Sequence, residues 1–320
     1  MKLLIAYDGS NCAEAALDEL VRAGLPDQTE ALVLTVSEEW LAAAEKNNVV
    51  VEDETSPFDR RRTRPKALSQ ANALARHARQ RLKNNFPTWK IKTEAVNGSA
   101  ARKIMKKSNQ IGADLIVVGA HGRGSLGCLT MGSVSQKVLF ASDCSVRVAR
   151  GRGGGDPVPS RILIAYDGSP GADWAIETVA ARRWRDGSQF RLVVVTDRIA
   201  PSAIGRFVPP VVRWVEAERE NARERIEKIA RRALEKLRGA DLSATLAIRD
   251  GNPKEIIVEE AADWAADCVF AGATCSGGAV DEFLLGSVSA AIAGRAHCSV
   301  EVARKAAREH CAETSTSTTS

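Results

Sequence analysis

Residues 119–136, GAHGRGSLGCLTMGSVSQ, follow an apolar run that ends at Val118, and they hold five glycines and four hydroxyl side chains. Gly119 and Gly122 lack the Cβ that would keep a backbone away from a ribose or a phosphate. Gly132, Ser133, Val134 and Ser135 open a helix-like stretch, where unpaired N–H groups and the helix dipole favour an anion. Hydroxyls at Ser133 and Ser135 suit phosphate oxygens, and Ser133 also suits a helix cap. Gly122 to Gly127 spells G-x-G-x-x-G, but the dinucleotide fingerprint belongs to the first strand-to-helix turn, which here is YDGSNC. Asp8 in that first turn reads either as a ligand contact or as a plain strand-ending turn residue.

The elements that must position these residues are written twice. LLIAYDGS (3–10) recurs as ILIAYDGS (162–169), ADLIVVGA (113–120) as ADCVFAGA (266–273), and GSVSQKVLFASDCSVRVAR (132–150) as GSVSAAIAGRAHCSVEVAR (286–304). One domain duplicated in tandem is expected, over 1–150 and 161–304. GRGGGDPVPS (151–160) reads as a linker and 305–320 as a disordered polar tail.

Within the first copy, β-branched runs at 3–6, 32–36, 91–95, 115–118 and 146–149 alternate with amphipathic helical stretches, the longest at 66–85. Continuous apolar strands alternating with helices imply a parallel sheet covered on both faces. Each copy is therefore expected to be a doubly wound α/β domain with five strands in the order 3-2-1-4-5. Its ligand should lie beyond the carboxyl ends of the strands. The proline-bearing stretches 49–65 and 199–212 break the alternation and read as surface insertions, the first with an arginine cluster at 60–64.

Composition narrows the function classes. The chain of 320 residues is 44% hydrophobic and 27% charged, as for a soluble globular protein. Its first 150 residues hold 22 Lys and Arg against 16 Asp and Glu, which suits an anionic ligand. An aromatic share of 5% with interspersed acids argues against a nucleic-acid platform. The seven cysteines form no C-x-x-C pair and are odd in number, so thiols in a reducing compartment are expected. Cys144 and Cys298 read as small buried hydrophobes. No run reaches the roughly 18 apolar residues of a membrane span, and the expectation is a cytoplasmic protein without membrane contact.

The pattern G-x2-G-x9-G-S, with LLIAYDGS, LVLTVSE and CSVRVAR in that order along the chain, resembles the ATP-binding members of the universal stress protein family over nearly the whole chain. The resemblance implies that Asp8 and the backbone at Ala6 and Val36 hold the adenosine end of ATP. It puts Gly119 and Gly122 along the ribose and α-phosphate, and Gly132, Ser133, Val134 and Ser135 around the outer phosphates. His121 and Arg123 would border the phosphates, and magnesium would accompany the ATP. It also implies dimerisation through the last strand, hence pairing of the two copies through Val146, Val148, Val300 and Val302, or a homodimer.

The second copy departs from this pattern. Gly272 is kept, but Cys275 stands in place of the second glycine and Gly286-Ser287 arrives one residue late. Gly277 and Gly278 offer backbone clearance elsewhere in the loop, and acidic Asp281 and Glu282 would repel a triphosphate that they faced. A weaker second site at Asp167, Gly272, Gly286, Ser287 and Ser289 is expected. The functional expectation is an ATP-binding, nucleotide-responsive stress module rather than an enzyme. A slow ATPase or self-phosphorylating protein and a nucleotide-free scaffold are the alternatives, and no G-x4-G-K-[ST] loop occurs.

Overall fold

The computed structural model describes residues 1–37, 57–122, 131–151, 158–196, 224, 226–275 and 283–305. The chain divides into two compact units, of which Pro159–Arg304 is the second. In the first unit the alternating pattern folds as β1 (Lys2–Ala6), α1 (Asn11–Glu19), β2 (Glu30–Ser37), α2 (Pro57–Asn85), β3 (Lys90–Asn97), α3 (Ala100–Ile111), β4 (Leu115–Gly119), α4 (Ser133–Ala141) and β5 (Ser145–Ala149). Its strands are parallel and lie in the order β3-β2-β1-β4-β5, the doubly wound order expected.

The second unit repeats the plan with β6 (Arg161–Ala165), α5 (Pro170–Ala180), β7 (Gln189–Thr196), α6 (226–239), β8 (Ala244–Asp250), α7 (Pro253–Asp263), β9 (Cys268–Gly272), α8 (Ser287–Arg295) and β12 (Ser299–Ala303). Its parallel strands run β8-β7-β6-β9-β12. A short antiparallel ladder of β10 (Thr274–Cys275) and β11 (Phe283–Leu284) is added between β9 and α8.

Alternation along the strands decides which residues pack on which face. Leu3, Ile5, Ala31 and Val33 join Leu17 and Leu20, from α1 and the short turn after it, and Ala75, Ala78 and Leu82 of α2 in one apolar cluster. Ile162, Ile164, Leu192 and Val194 do the same with Ile176 of α5 and Ala230 and Ala233 of α6. One expectation is corrected. Residues 57–65, read as part of a surface insertion, form the start of α2. Pro57 suits a first helical turn, and the helix continues through Pro65 despite the backbone donor that proline lacks. Residues 49–56 and 199–212 lie outside the described residues.

Each unit buries one ion pair between its last strand and its first helix region. In the first, Arg147 of β5 donates to Glu19 at the end of α1 at 2.8 Å. In the second the charges are exchanged: Glu301 of β12, fully buried, accepts from Arg182.

The carboxyl end of the fourth strand closes on the first turn of the first helix. A Cβ on Gly119 would lie 3.1 Å from the Cys12 carbonyl carbon and 3.2 Å from the Ala13 nitrogen. In the second unit the approach is closer, and a Cβ on Gly272 would overlap the backbone of Gly171 and Ala172. Gly272→Ala should therefore cost about 3 kcal/mol, and Gly119→Ala, whose neighbours need give only slightly, about 1 kcal/mol. Amide hydrogen exchange of the two variants checks this, with β6 and β9 loosening far more in Gly272→Ala than β1 and β4 in Gly119→Ala.

Candidate functional site

A cleft of about 630 Å³ opens beyond the carboxyl ends of β1, β2 and β4. This is where the strand order of a doubly wound sheet reverses and leaves a crevice. All nine positions expected in the first copy line it: Ala6, Asp8, Val36, Gly119, Gly122, Gly132, Ser133, Val134 and Ser135. His121 lines it too, whereas Arg123 lies outside the described residues. The sequence did not single out the apolar wall that α2 and α3 supply through Ala67, Ala71, Leu74, Ala100 and Ile104, nor Thr35 beside it. The available signal was that α2 directs small residues at helical spacing toward the sheet, which leaves room above the ends of the strands.

Local chemistry builds the rim. The Asp8 carboxylate accepts from the Ser10 amide at 2.9 Å through Oδ1, closing the turn that ends β1. Ser10 caps α1, its Oγ accepting from the Ala13 amide at 3.2 Å. The turn reading of Asp8 thus holds for one oxygen. The other, Oδ2, lies 2.9 Å from where a Cβ on Gly122 would stand, so a side chain at residue 122 would press on the carboxylate and force it to shift.

Beyond the loop, the Gly132 amide donates to the Ala120 carbonyl at 2.7 Å, and Gly132, not Ser133, is the cap residue of α4. Ser133 is the first helical residue, and no side-chain hydrogen bond caps this end. The Ser135 hydroxyl donates to the Gly119 carbonyl at 2.6 Å. Its expected donation to a phosphate is thereby corrected, because a hydroxyl has a single proton to give. The amides of Ser133, Val134 and Ser135 belong to the first turn, where no intrahelical carbonyl is available to them.

The second unit keeps the frame and changes the rim. Asp167 accepts from the Ser169 amide at 2.9 Å, and Ser289 donates to the Gly272 carbonyl at 2.6 Å. Asp167 is exposed, however, where Asp8 is half-buried. Gly286 again caps the last helix and Ser287 opens it. Thr274 and Cys275 are drawn into the ladder with Phe283 and Leu284, and the Thr274 hydroxyl stands where a Cβ on Gly286 would project. Gly277, Gly278, Asp281 and Glu282 lie outside the described residues.

The family model described as "Universal stress protein family" matches residues 1–150 and 159–304. The universal stress protein YxiE of Bacillus subtilis is 29% identical over 149 residues, 47% of this chain and 98% of that protein. The crystal structure of a universal stress protein from Archaeoglobus fulgidus covers 96% of this chain and 97% of its own, with TM-score 0.58 and 20% identity, a likeness of fold. A universal stress protein family protein from Arabidopsis thaliana, solved with AMP bound, covers 47% of this chain and 95% of its own, with 19% identity and TM-score 0.31. That partial likeness carries neither fold nor ligand to this chain.

Two features set the electrostatics and redox state of the rim. Cys12, in the first turn of α1 against Gly119, is disulfide-bonded, which corrects the expectation of thiols throughout. A disulfide depends on Cα separations that spacing in a sequence does not reveal. Cys144, Cys268 and Cys298 are buried and outside any disulfide. His121 is 8% exposed, and burial first, then the Arg150 charge, lowers its pKa from the ordinary 6.5. The folded protein thus holds His121 neutral at pH values where the unfolded chain protonates it. The unfolded state binds the extra proton, so this histidine costs stability as pH falls below about 6.5 and costs nothing above it. The drop in Tm between pH 7.5 and pH 5.5 should be smaller in His121→Gln than in the wild type, and equal drops would show that the imidazole is not the group responsible.

Proposed function

The chain belongs to the universal stress protein family, and from that premise we propose that it is an ATP-binding, nucleotide-responsive regulatory module that holds ATP mainly in its first domain. The observation that supports this reading is the gathering of nine sequence positions, drawn from β1, β2, β4 and the start of α4, around one cleft. Its volume of about 630 Å³ falls within the range of small-molecule sites.

The cleft is chemically divided in a way that matches a nucleotide. Leu34, Val36, Ala71, Leu74 and Ile104 offer an apolar slot for a base. At the other side the first-turn amides of Ser133, Val134 and Ser135 present partial positive charge to phosphates. Asp8 Oδ2 lies between them in the strand order, within reach of a ribose hydroxyl. Magnesium would arrive with the phosphates, the usual way this ion is bound. Among the described residues no three His, Cys, Asp or Glu side chains are grouped to hold a metal by themselves. Bound phosphate charge would be met by this chain's amides at the start of α4, and a partner would read the occupied state.

The second domain keeps its Asp167 turn and its Gly286 helix start, but Thr274 stands over that start and Cys275 replaces the glycine that clears the carboxylate in the first domain. Weak or absent binding there follows.

Isothermal titration of the full chain with ATP should give one strong site. Gly122→Val, which thrusts a side chain at Asp8, should weaken that site at least 100-fold, and Gly286→Val should leave it within about twofold. Two equal sites would refute the asymmetry. Steady phosphate release from bound ATP would favour a slow ATPase over a binding module.

A further inference from the structure

Thr35 is the one hydroxyl residue inside the apolar run of β2, Ala-Leu-Val-Leu-Thr-Val. It is 2% exposed, and its Oγ1 has no hydrogen-bond partner among the described residues. A buried hydroxyl left so is unusual, because burial removes its water and no described residue replaces it. By strand alternation Thr35 shares the face of Ala31 and Val33, which pack beneath α1 and α2, and it lines the cleft where Ala71 and Leu74 of α2 form the wall.

Its place in the sheet says which part of a ligand it can reach. β1 lies between β2 and β4, so Thr35 is two strands, roughly 10 Å, from the end of β4 and from the α4 amides tied to it. That separation puts the hydroxyl at the nucleoside end of a nucleotide whose phosphates sit at α4. The second domain supplies a contrast in the same register. Ala6 pairs with Leu34 and Ala165 with Val193, so the position equivalent to Thr35 is Val194. Val194 is buried in the corresponding apolar cluster, with no polar atom to satisfy.

We propose that the Thr35 hydroxyl hydrogen-bonds the nucleoside portion of the bound nucleotide and sets the affinity of the first domain for it. The proposal rests on the nucleotide reading of the cleft and adds a residue and a ligand region to it. It also names a second reason, besides the loop, why the two domains differ in affinity.

The test is calorimetric titration of the full chain, wild type against Thr35→Val and Thr35→Ser, with ATP and with AMP. Thr35→Val keeps the shape and removes the hydroxyl, and it should weaken both nucleotides by the same factor, about 10-fold. Thr35→Ser should stay within about threefold of wild type. The ligand-free Tm of Thr35→Val should be no lower than that of wild type, since an unsatisfied group is removed. Unchanged affinity in Thr35→Val, or a loss seen with ATP and not with AMP, would overturn this proposal while leaving the nucleotide reading intact. A wild-type chain that binds neither nucleotide would overturn both.

Discussion

The junction at the carboxyl end of the fourth strand is the constraint on which the rest of each domain depends. There β4 must touch the first turn of α1, pair with β5, and release a loop that returns to start α4. Gly119 permits the first contact, since any side chain would press on the Cys12 and Ala13 backbone. The Ala120 amide answers the Ala149 carbonyl at 2.8 Å, the Gly132 amide answers Ala120 at 2.7 Å, and Ser135 ties back to Gly119 at 2.6 Å. The second domain repeats this with Ala273 on Ala303 at 3.0 Å and Ser289 on Gly272 at 2.6 Å. Polar backbone leaving a buried strand needs such partners, because an unpaired buried N–H or C=O costs a hydrogen bond's worth of free energy.

Once that frame is held, the rim varies. The first domain has an open amide-rich helix start facing a half-buried Asp8 across a glycine. The second has a threonine hydroxyl over the helix start and an exposed Asp167. The same division recurs in the sheet, where Thr35 of one copy is Val194 of the other. These are differences at the carboxyl ends of the strands, laid on elements that match in order and register. Duplication allows this, because one copy can change its rim while the other keeps it.

The buried charges show how much can change without disturbing the frame. Arg147 on the last strand of the first domain meets Glu19, and Glu301 at the matching place in the second meets Arg182. Such a pair stands only when both members are present, since one buried charge without the other is strongly destabilising. Exchange of sign therefore had to involve both partners. It leaves the helix-to-strand packing intact while giving the two last strands opposite charges at one position.

How much was legible in the residues follows from the range of the forces involved. Strand and helix placement came through because apolar periodicity is a local record of which face is buried. The doubling came through because its motifs are spelled twice, and the strand order because few orders serve a doubly wound sheet. The turn at Asp8 was legible as fixed local geometry, whereas the groups that approach Gly119 and Gly122 are the Cys12 and Ala13 backbone and the Asp8 carboxylate. What only the tertiary structure decided was which groups meet across strands far apart in the chain. It assigned the Ser135 proton to Gly119, made Gly132 rather than Ser133 the cap, carried α2 back to Pro57, and left Thr35 buried at the cleft without a partner among the described residues. It also placed Cys12 in a disulfide. Each depends on distances set by the packing of whole elements, and spacing along one chain does not encode those distances.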